Sequence, residues 1–221
     1  MGDETHGETR RELSIDAGGA RLTGSLVVPA RARAVALFAH EASAGHDASA
    51  PPGGDTLRAA GFATLHFDML TPEEERTDER TGHLRFDVEL LASRVMEATR
   101  AVRTAPETLG LPIGYVGGGT GAAAVLRAVV LDRSAYAVVG VAGRPDLALD
   151  CLPKVRVPTL LIVGGADVPL VPLNEQAFEA LACEKELVTL PGAGHRLEEP
   201  GALDTAARLT TEWLARRLPA R

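Results

Sequence analysis

From residue 34 onward the chain alternates between short, nearly unbroken apolar runs and longer stretches with apolar residues at helical spacing. The runs Ala34–His40, Ala63–Asp68, Pro112–Val116, Ala137–Val141, Pro158–Gly164 and Leu187–Leu190 predict strands. Their apolarity is continuous rather than alternating, which implies burial on both faces, as in a parallel sheet covered by helices. Between them the spacing predicts helices over Asp55–Ala60, Leu84–Val102, 121–131, Leu173–Ala182 and Ala202–Leu218, with a short one near Leu147–Cys151. In the long segment, Leu90, Leu91, Val95, Ala98 and Val102 fall on one face. Thr71–Arg80 carries too much charge for a buried element and is expected to be a loop, with Pro72 near its start. Before the series, Arg11–Asp16 and Arg21–Val28 flank Ala17-Gly18-Gly19 and predict an antiparallel hairpin. The pattern as a whole predicts an α/β, doubly wound, mostly parallel sheet that begins with that hairpin. Residues 1–10 are expected to be disordered and 11–221 to form a single domain.

Composition narrows the possible partners. The 221 residues are 45% hydrophobic and 24% charged, and the formal net charge is −7. No Lys/Arg cluster forms a stripe, which argues against nucleic acid. The apolar runs are too short to span a bilayer, so no membrane partner is expected. Met1–Arg11 has the pattern of neither a signal nor a transit peptide, and a cytoplasmic location follows as the expectation. Cys151 and Cys183 lack metal-ligand spacing, as do the histidines, so no metal is expected. No cofactor motif is present. The glycine run 117–121 is neither a dinucleotide fingerprint nor a phosphate loop, so the expected partner is a small-molecule substrate bound without a cofactor.

In a doubly wound sheet, sites lie beyond the carboxyl ends of the strands. Four strand ends carry candidate chemistry: His40-Glu41, the run Gly117-Gly-Gly-Thr-Gly121, Gly164-Gly-Ala-Asp167, and Pro191-Gly-Ala-Gly-His195. The glycine run sits between a predicted strand and a predicted helix, the setting of a nucleophile elbow with pattern G-x-S-x-G. Its middle position is Gly119, which has no attacking atom. A carboxylate at one strand end can orient an imidazole on the next loop, which makes Asp167 and His195 candidates for a catalytic pair.

In the order elbow, acid, histidine, these segments resemble the dienelactone-hydrolase-like branch of the α/β-hydrolases over nearly the whole chain. The resemblance is carried by Ala36–His40, Ala63–Glu75, Leu84–Asp87, Ile113–Ala124, Gly143–Leu147, Pro158–Asp167 and Pro191–Leu203. It implies the α/β-hydrolase fold, with the nucleophile position at Gly119, the acid at Asp167 and the base at His195. It also implies oxyanion donors from the backbone of Thr120 and of the residue after His40. Relatives have His-Gly there, whereas this chain has His40-Glu41.

The two departures coincide at the implied site. Gly119 removes the nucleophile, and Glu41 puts a carboxylate where a developing oxyanion would be destabilised. The reading they suggest is an enzyme that uses His195 and Asp167, with Glu41 as a further acid or base, on a carbonyl-containing small molecule. Lyase, isomerase, cyclase or water-mediated hydrolytic chemistry would all fit. An esterase carrying an engineered serine-to-glycine change at 119 is an alternative, and an inactive ligand- or partner-binding protein is another. Thr120 is a substitute nucleophile one residue late. His40, Asp68 and Gly118 are candidate pocket residues. His66, inside an apolar strand, reads as a core residue, while His46 and His83 fall on loops. The segment 69–83 could serve as a lid.

Overall fold

The computed structural model describes residues 7–40 and 53–220. Eight strands form one sheet: β1 (Thr9–Ala17), β2 (Ala20–Val28), β3 (Ala34–His40), β4 (Phe62–Asp68), β5 (Ile113–Gly119), β6 (Ala135–Gly143), β7 (Thr159–Gly164) and β8 (Lys185–Leu190). Their order is β1-β2-β4-β3-β5-β6-β7-β8. The β1–β2 and β2–β4 pairs are antiparallel, and every later pair is parallel. This is the mostly parallel sheet with an antiparallel hairpin that the alternation predicts, and it agrees with the α/β-hydrolase fold that the resemblance implies. The hairpin begins at Thr9, two residues earlier than its pattern suggests, because Thr9 and Arg10 still pair with Val28 and Val27.

Among the described residues there are six α-helices: α1 (Gly54–Ala59), α2 (Pro72–Thr81), α3 (Val88–Thr104), α4 (Gly121–Asp132), α5 (Leu170–Ala180) and α6 (Ala202–Arg216). Alternate residues of each strand serve opposite layers. Val35, Leu37 and Ala39 of β3 pack with Leu91, Val95 and Leu126 of α3 and α4. Ala34, Ala36 and Phe38 pack with Leu57, Trp213 and Leu214 of α1 and α6. Two-sided burial is the reason the strand sequences read as unbroken apolar runs. Each fully buried Leu contributes about 1.5–3 kcal/mol through the apolar surface it removes from water.

The expected loop over Thr71–Arg80 is the helix α2. Thr71 accepts from the Glu74 backbone N–H, while the Glu74 carboxylate accepts from the Thr71 N–H, and Pro72 occupies the first turn. Such a capping box starts a helix that lacks an apolar stripe. Tertiary ion pairs then hold it: Asp78 is buried and paired with Arg85, and Glu74 with the buried Arg94. The surrounding hydrogen bonds and the charge of Arg85 lower the Asp78 pKa against the opposing effect of burial.

The long helix predicted from Leu84 breaks at Asp87. A 3-10 turn spans Leu84–Phe86, then Asp87 caps α3 by accepting from the Leu90 N–H. The short helix near 147–151 is two 3-10 turns, Pro145–Ala148 and Leu152–Lys154. The strand before the glycine run is longer than its apolar core and includes Gly117, Gly118 and Gly119.

The passage from β5 into α4 is a tight crossing. A Cβ on Gly121 would stand 2.0 Å from the Ala39 carbonyl oxygen of β3, a backbone atom that cannot rotate away. We expect Gly121→Ala to destabilise the fold by about 2–3 kcal/mol, in the range of overpacked cores. A urea midpoint unchanged from wild type would contradict this close approach.

Candidate active site

The candidate residues stand at the carboxyl edge of the sheet, because every strand from β3 to β8 runs in the same direction. His40 ends β3, Asp68 ends β4 and Gly119 ends β5, while Asp167 and His195 follow β7 and β8. Glu41 and His46 lie outside the described residues.

The structure brings Asp167 and His195 together. His195 Nδ1 lies 2.8 Å from Asp167 Oδ2. An ionised carboxylate only accepts hydrogen bonds, so the imidazole donates from Nδ1 and leaves Nε2 free to accept a proton. The carboxylate side chain is 6% exposed and the imidazole 59%. A buried carboxylate thus orients an imidazole that is open to solvent.

Backbone bonds between the two loops set this geometry. The Gly165 N–H donates to Leu190 O at 2.8 Å, and the Ala166 N–H to Ala193 O at 2.9 Å. Leu197, buried in the core, adopts φ 54 and its N–H donates to Gly194 O. That left-handed turn folds the chain back directly after His195. A Cβ on Gly164 would meet the carbonyl oxygens of both Ala193 and Gly194 at 2.4 Å.

Gly119 lies at φ 54, a left-handed conformation at the strand-to-helix turn. Its carbonyl accepts from the Arg144 N–H at 2.8 Å. Thr120 precedes the first turn of α4 in helical conformation, and its side chain makes no capping bond. The Thr120 hydroxyl is buried and has no hydrogen-bond partner among the described residues. The first turn of α4 carries no acidic residue. Within that turn, no carboxylate offsets the partial positive charge of the helix N-terminus.

The imidazole of His40 rests against the end of β5. A Cβ on Gly118 would meet His40 Nδ1 at 2.6 Å, so the ring occupies space that only glycine leaves there. His40 stacks on Phe38, with ring centroids 5.6 Å apart, and lies 6.2 Å from the His66 ring. Asp68 is exposed at the rim, yet partial burial raises its pKa. Glu75 of α2 is raised as well, first by burial and then by the charges of Asp68 and Glu79. This acidic rim of β4 and α2 was legible only in part, because the α2 segment reads as a loop. His83 is exposed and its Nδ1 lies 2.7 Å from the Thr81 hydroxyl. Among the described residues no three His, Cys, Asp or Glu side chains form a metal-binding group. No described helix is long and apolar enough to cross a membrane.

His66 is the core histidine its apolar strand suggests. It is 4% exposed, tilted against Phe38 at 4.0 Å, and neither ring nitrogen has a hydrogen-bond partner among the described residues. Burial pushes its pKa well below the ordinary value, and the charges of His40 and Arg58 push the same way.

No protein-family model matches the chain. The crystal structure of a dienelactone hydrolase from Anabaena variabilis is similar to it at 44% identity and a TM-score of 0.90, over 97% of this chain and 100% of that one. Proteins of two Mycobacterium tuberculosis strains, provisionally named as phosphoribosyl transferases, are 44% identical over 204 residues, or 91% of this chain. The chain spans 45% of their length, less than half of these curated relatives. A dienelactone hydrolase-like promiscuous phosphotriesterase from metagenomic libraries shares the fold at 19% identity, with a TM-score of 0.75 over 96% of this chain and 99% of that one.

Two outcomes are expected from this geometry. Gly164→Ala should push the loop bearing His195 away from β7 and weaken the pairing with Asp167. The two-dimensional NMR signal of the His195 ring should then shift towards that of Asp167→Asn, and a wild-type ring spectrum would count against the contact. His66 must stay neutral in the fold, whereas the unfolded chain takes up a proton near pH 6.5. The unfolded state therefore binds more protons below that pH, and stability falls as pH decreases. His66→Leu should remove up to about 1.4 kcal/mol per pH unit of that slope. Urea midpoints at pH 7.5 and pH 5.0 would measure it, and equal slopes in the two proteins would contradict the assignment.

Proposed function

Since the chain belongs to the dienelactone-hydrolase-like family of α/β-hydrolases, we propose that it is an enzyme of that fold working without a covalent serine step. The observation that carries this reading is the 2.8 Å bond between an exposed imidazole and a buried carboxylate, at the same carboxyl edge of the sheet as a left-handed turn whose residue, Gly119, has no side chain. In this reading Gly119 stands at the nucleophile position. With no attacking oxygen, the chemistry left to the site is proton transfer.

His195, oriented by Asp167, takes a proton through Nε2 from a carbonyl-containing small molecule or from a water held against it. Negative charge then develops on the substrate oxygen. The backbone N–H of Thr120, at the start of α4, and that of Glu41 are the proposed donors to that oxygen. The Glu41 carboxylate is the proposed second acid or base, returning the proton elsewhere on the substrate. Proton removal and return at different atoms is the common step of lyases, isomerases and cyclases. With water as the proton source the same base performs hydrolysis. His40, Asp68 and Gly118 border the proposed pocket, and in this reading substrate enters where a serine side chain at 119 would otherwise stand. The reaction requires no cofactor.

The relatives from Mycobacterium tuberculosis are named for phosphoribosyl transfer, but the matched segment is less than half of each. The imidazole–carboxylate pair of this segment supports acid–base chemistry, and we do not extend that name to it.

Hydrolysis of p-nitrophenyl acetate by the wild type and by Gly119→Ser tests the proposal. The serine must adopt a left-handed conformation, which costs about 1–3 kcal/mol. The wild type should turn over the ester poorly. Gly119→Ser should gain hydrolysis that falls by about 10²–10⁴-fold when His195→Ala is added. Ester turnover by the wild type that survives His195→Ala would sink the proposal. So would a folded Gly119→Ser protein with no activity, since the elbow and its base would then not be in place.

A further inference from the structure

The site just proposed needs two elements held in register, the turn bearing Gly119 and the loop bearing Asp167, and β6 stands between them in the sheet. The end of β6 is irregular. Gly118 pairs with Val141 and Gly119 with Gly143, so Ala142 bulges out of the ladder. Ala142 adopts φ 46, a left-handed conformation that side-chain-bearing residues rarely hold unless their surroundings impose it. Directly after the bulge, the Arg144 N–H donates to Gly119 O at 2.8 Å. The position of the Gly119 turn is thus coupled to the conformation of residues 142–144.

The side chain of Asn174 braces this segment from the other side. It is 1% exposed within α5, and its Nδ2 donates to Gly143 O at 3.1 Å and to Leu170 O at 3.0 Å. The N–H groups of Leu170 and Val171 donate in turn to Asp167 O, at 3.0 and 3.1 Å. A continuous path of short contacts therefore runs from the Asp167 backbone, through the first turn of α5 and one amide group, to the bulge and on to Gly119. The amide NH₂ supplies the two donors that two carbonyls require, and no apolar residue of similar size can do so.

We infer that Asn174 is a positioning residue, tying the acid-bearing loop to the glycine turn through the end of β6. It thereby holds the spacing between the His195–Asp167 pair and the Gly119 turn. The functional meaning of that spacing rests on the reading in the preceding section, but the coupling itself is independent of any reaction.

Amide hydrogen exchange on ¹⁵N-labelled wild type, Asn174→Leu and Asn174→Ser tests it. With the brace removed, exchange of the Arg144 and Leu170 amides should rise about tenfold relative to wild type, as expected for the loss of one net hydrogen bond. The Leu37 and Leu161 amides, in β3 and β7, should keep their protection. Equal acceleration of all four amides would overturn the inference, because Asn174 would then support only global stability. Unchanged exchange at Arg144 would overturn it too. Failure of both variants to fold would likewise assign Asn174 to the core alone. Loss of the ester activity gained by Gly119→Ser is not part of this readout, so a failed activity test counts against the proposed function and leaves the coupling standing.

Discussion

The steric demand of the crossing between β5 and α4 is the constraint on which the rest of the structure depends. The helix starts so close to β3 that the backbone of Gly121 lies against the Ala39 carbonyl. No side chain fits, and only glycine lets the strand turn directly into the helix at that distance. The same turn places Gly119 in a left-handed conformation at the carboxyl edge of the sheet, with the N-terminal end of α4 immediately behind it. Backbone N–H groups and a helix dipole consequently converge on one point of that edge, whatever side chain stands at 119.

Around that point, burial sorts the ionisable groups. Asp167 is buried and hydrogen-bonded, while its partner His195 is open to solvent. His66 is buried with no hydrogen-bond partner among the described residues, and desolvation disfavours its charged form. Two histidines of one fold thus stand in opposite settings, one open to solvent and one enclosed in the core. At the acidic rim, partial burial disfavours charge on Asp68, and burial followed by the charges of Asp68 and Glu79 disfavours it on Glu75.

Much of this was legible in the chain. The strand positions followed from unbroken apolar runs, because burial on both faces removes the usual alternation. The pairing of Asp167 with His195 followed from their places on consecutive strand ends. The helix α2 was missed because its stability comes from a capping box and two ion pairs to distant residues rather than from an apolar stripe. The break at Asp87 was hidden by a helical spacing that continues across it, although the aspartate that caps Leu90 was present as a signal. Asn174 gave no signal at all, since its two acceptors are backbone carbonyls and any residue supplies a carbonyl.

By itself, then, the sequence determined the order of elements, the two-sided burial of the sheet, the lack of a side chain at Gly119 and the placement of Asp167 and His195 after successive strands. These are properties of residue type and local periodicity. Only the tertiary structure decided that Asp167 is buried while His195 is exposed, that β6 bulges at Ala142, and that one buried amide braces the turn at Gly119 against the acid's loop. Those features depend on distances between backbone segments far apart in the chain, which the close approach of glycine to carbonyl sets and no local pattern encodes.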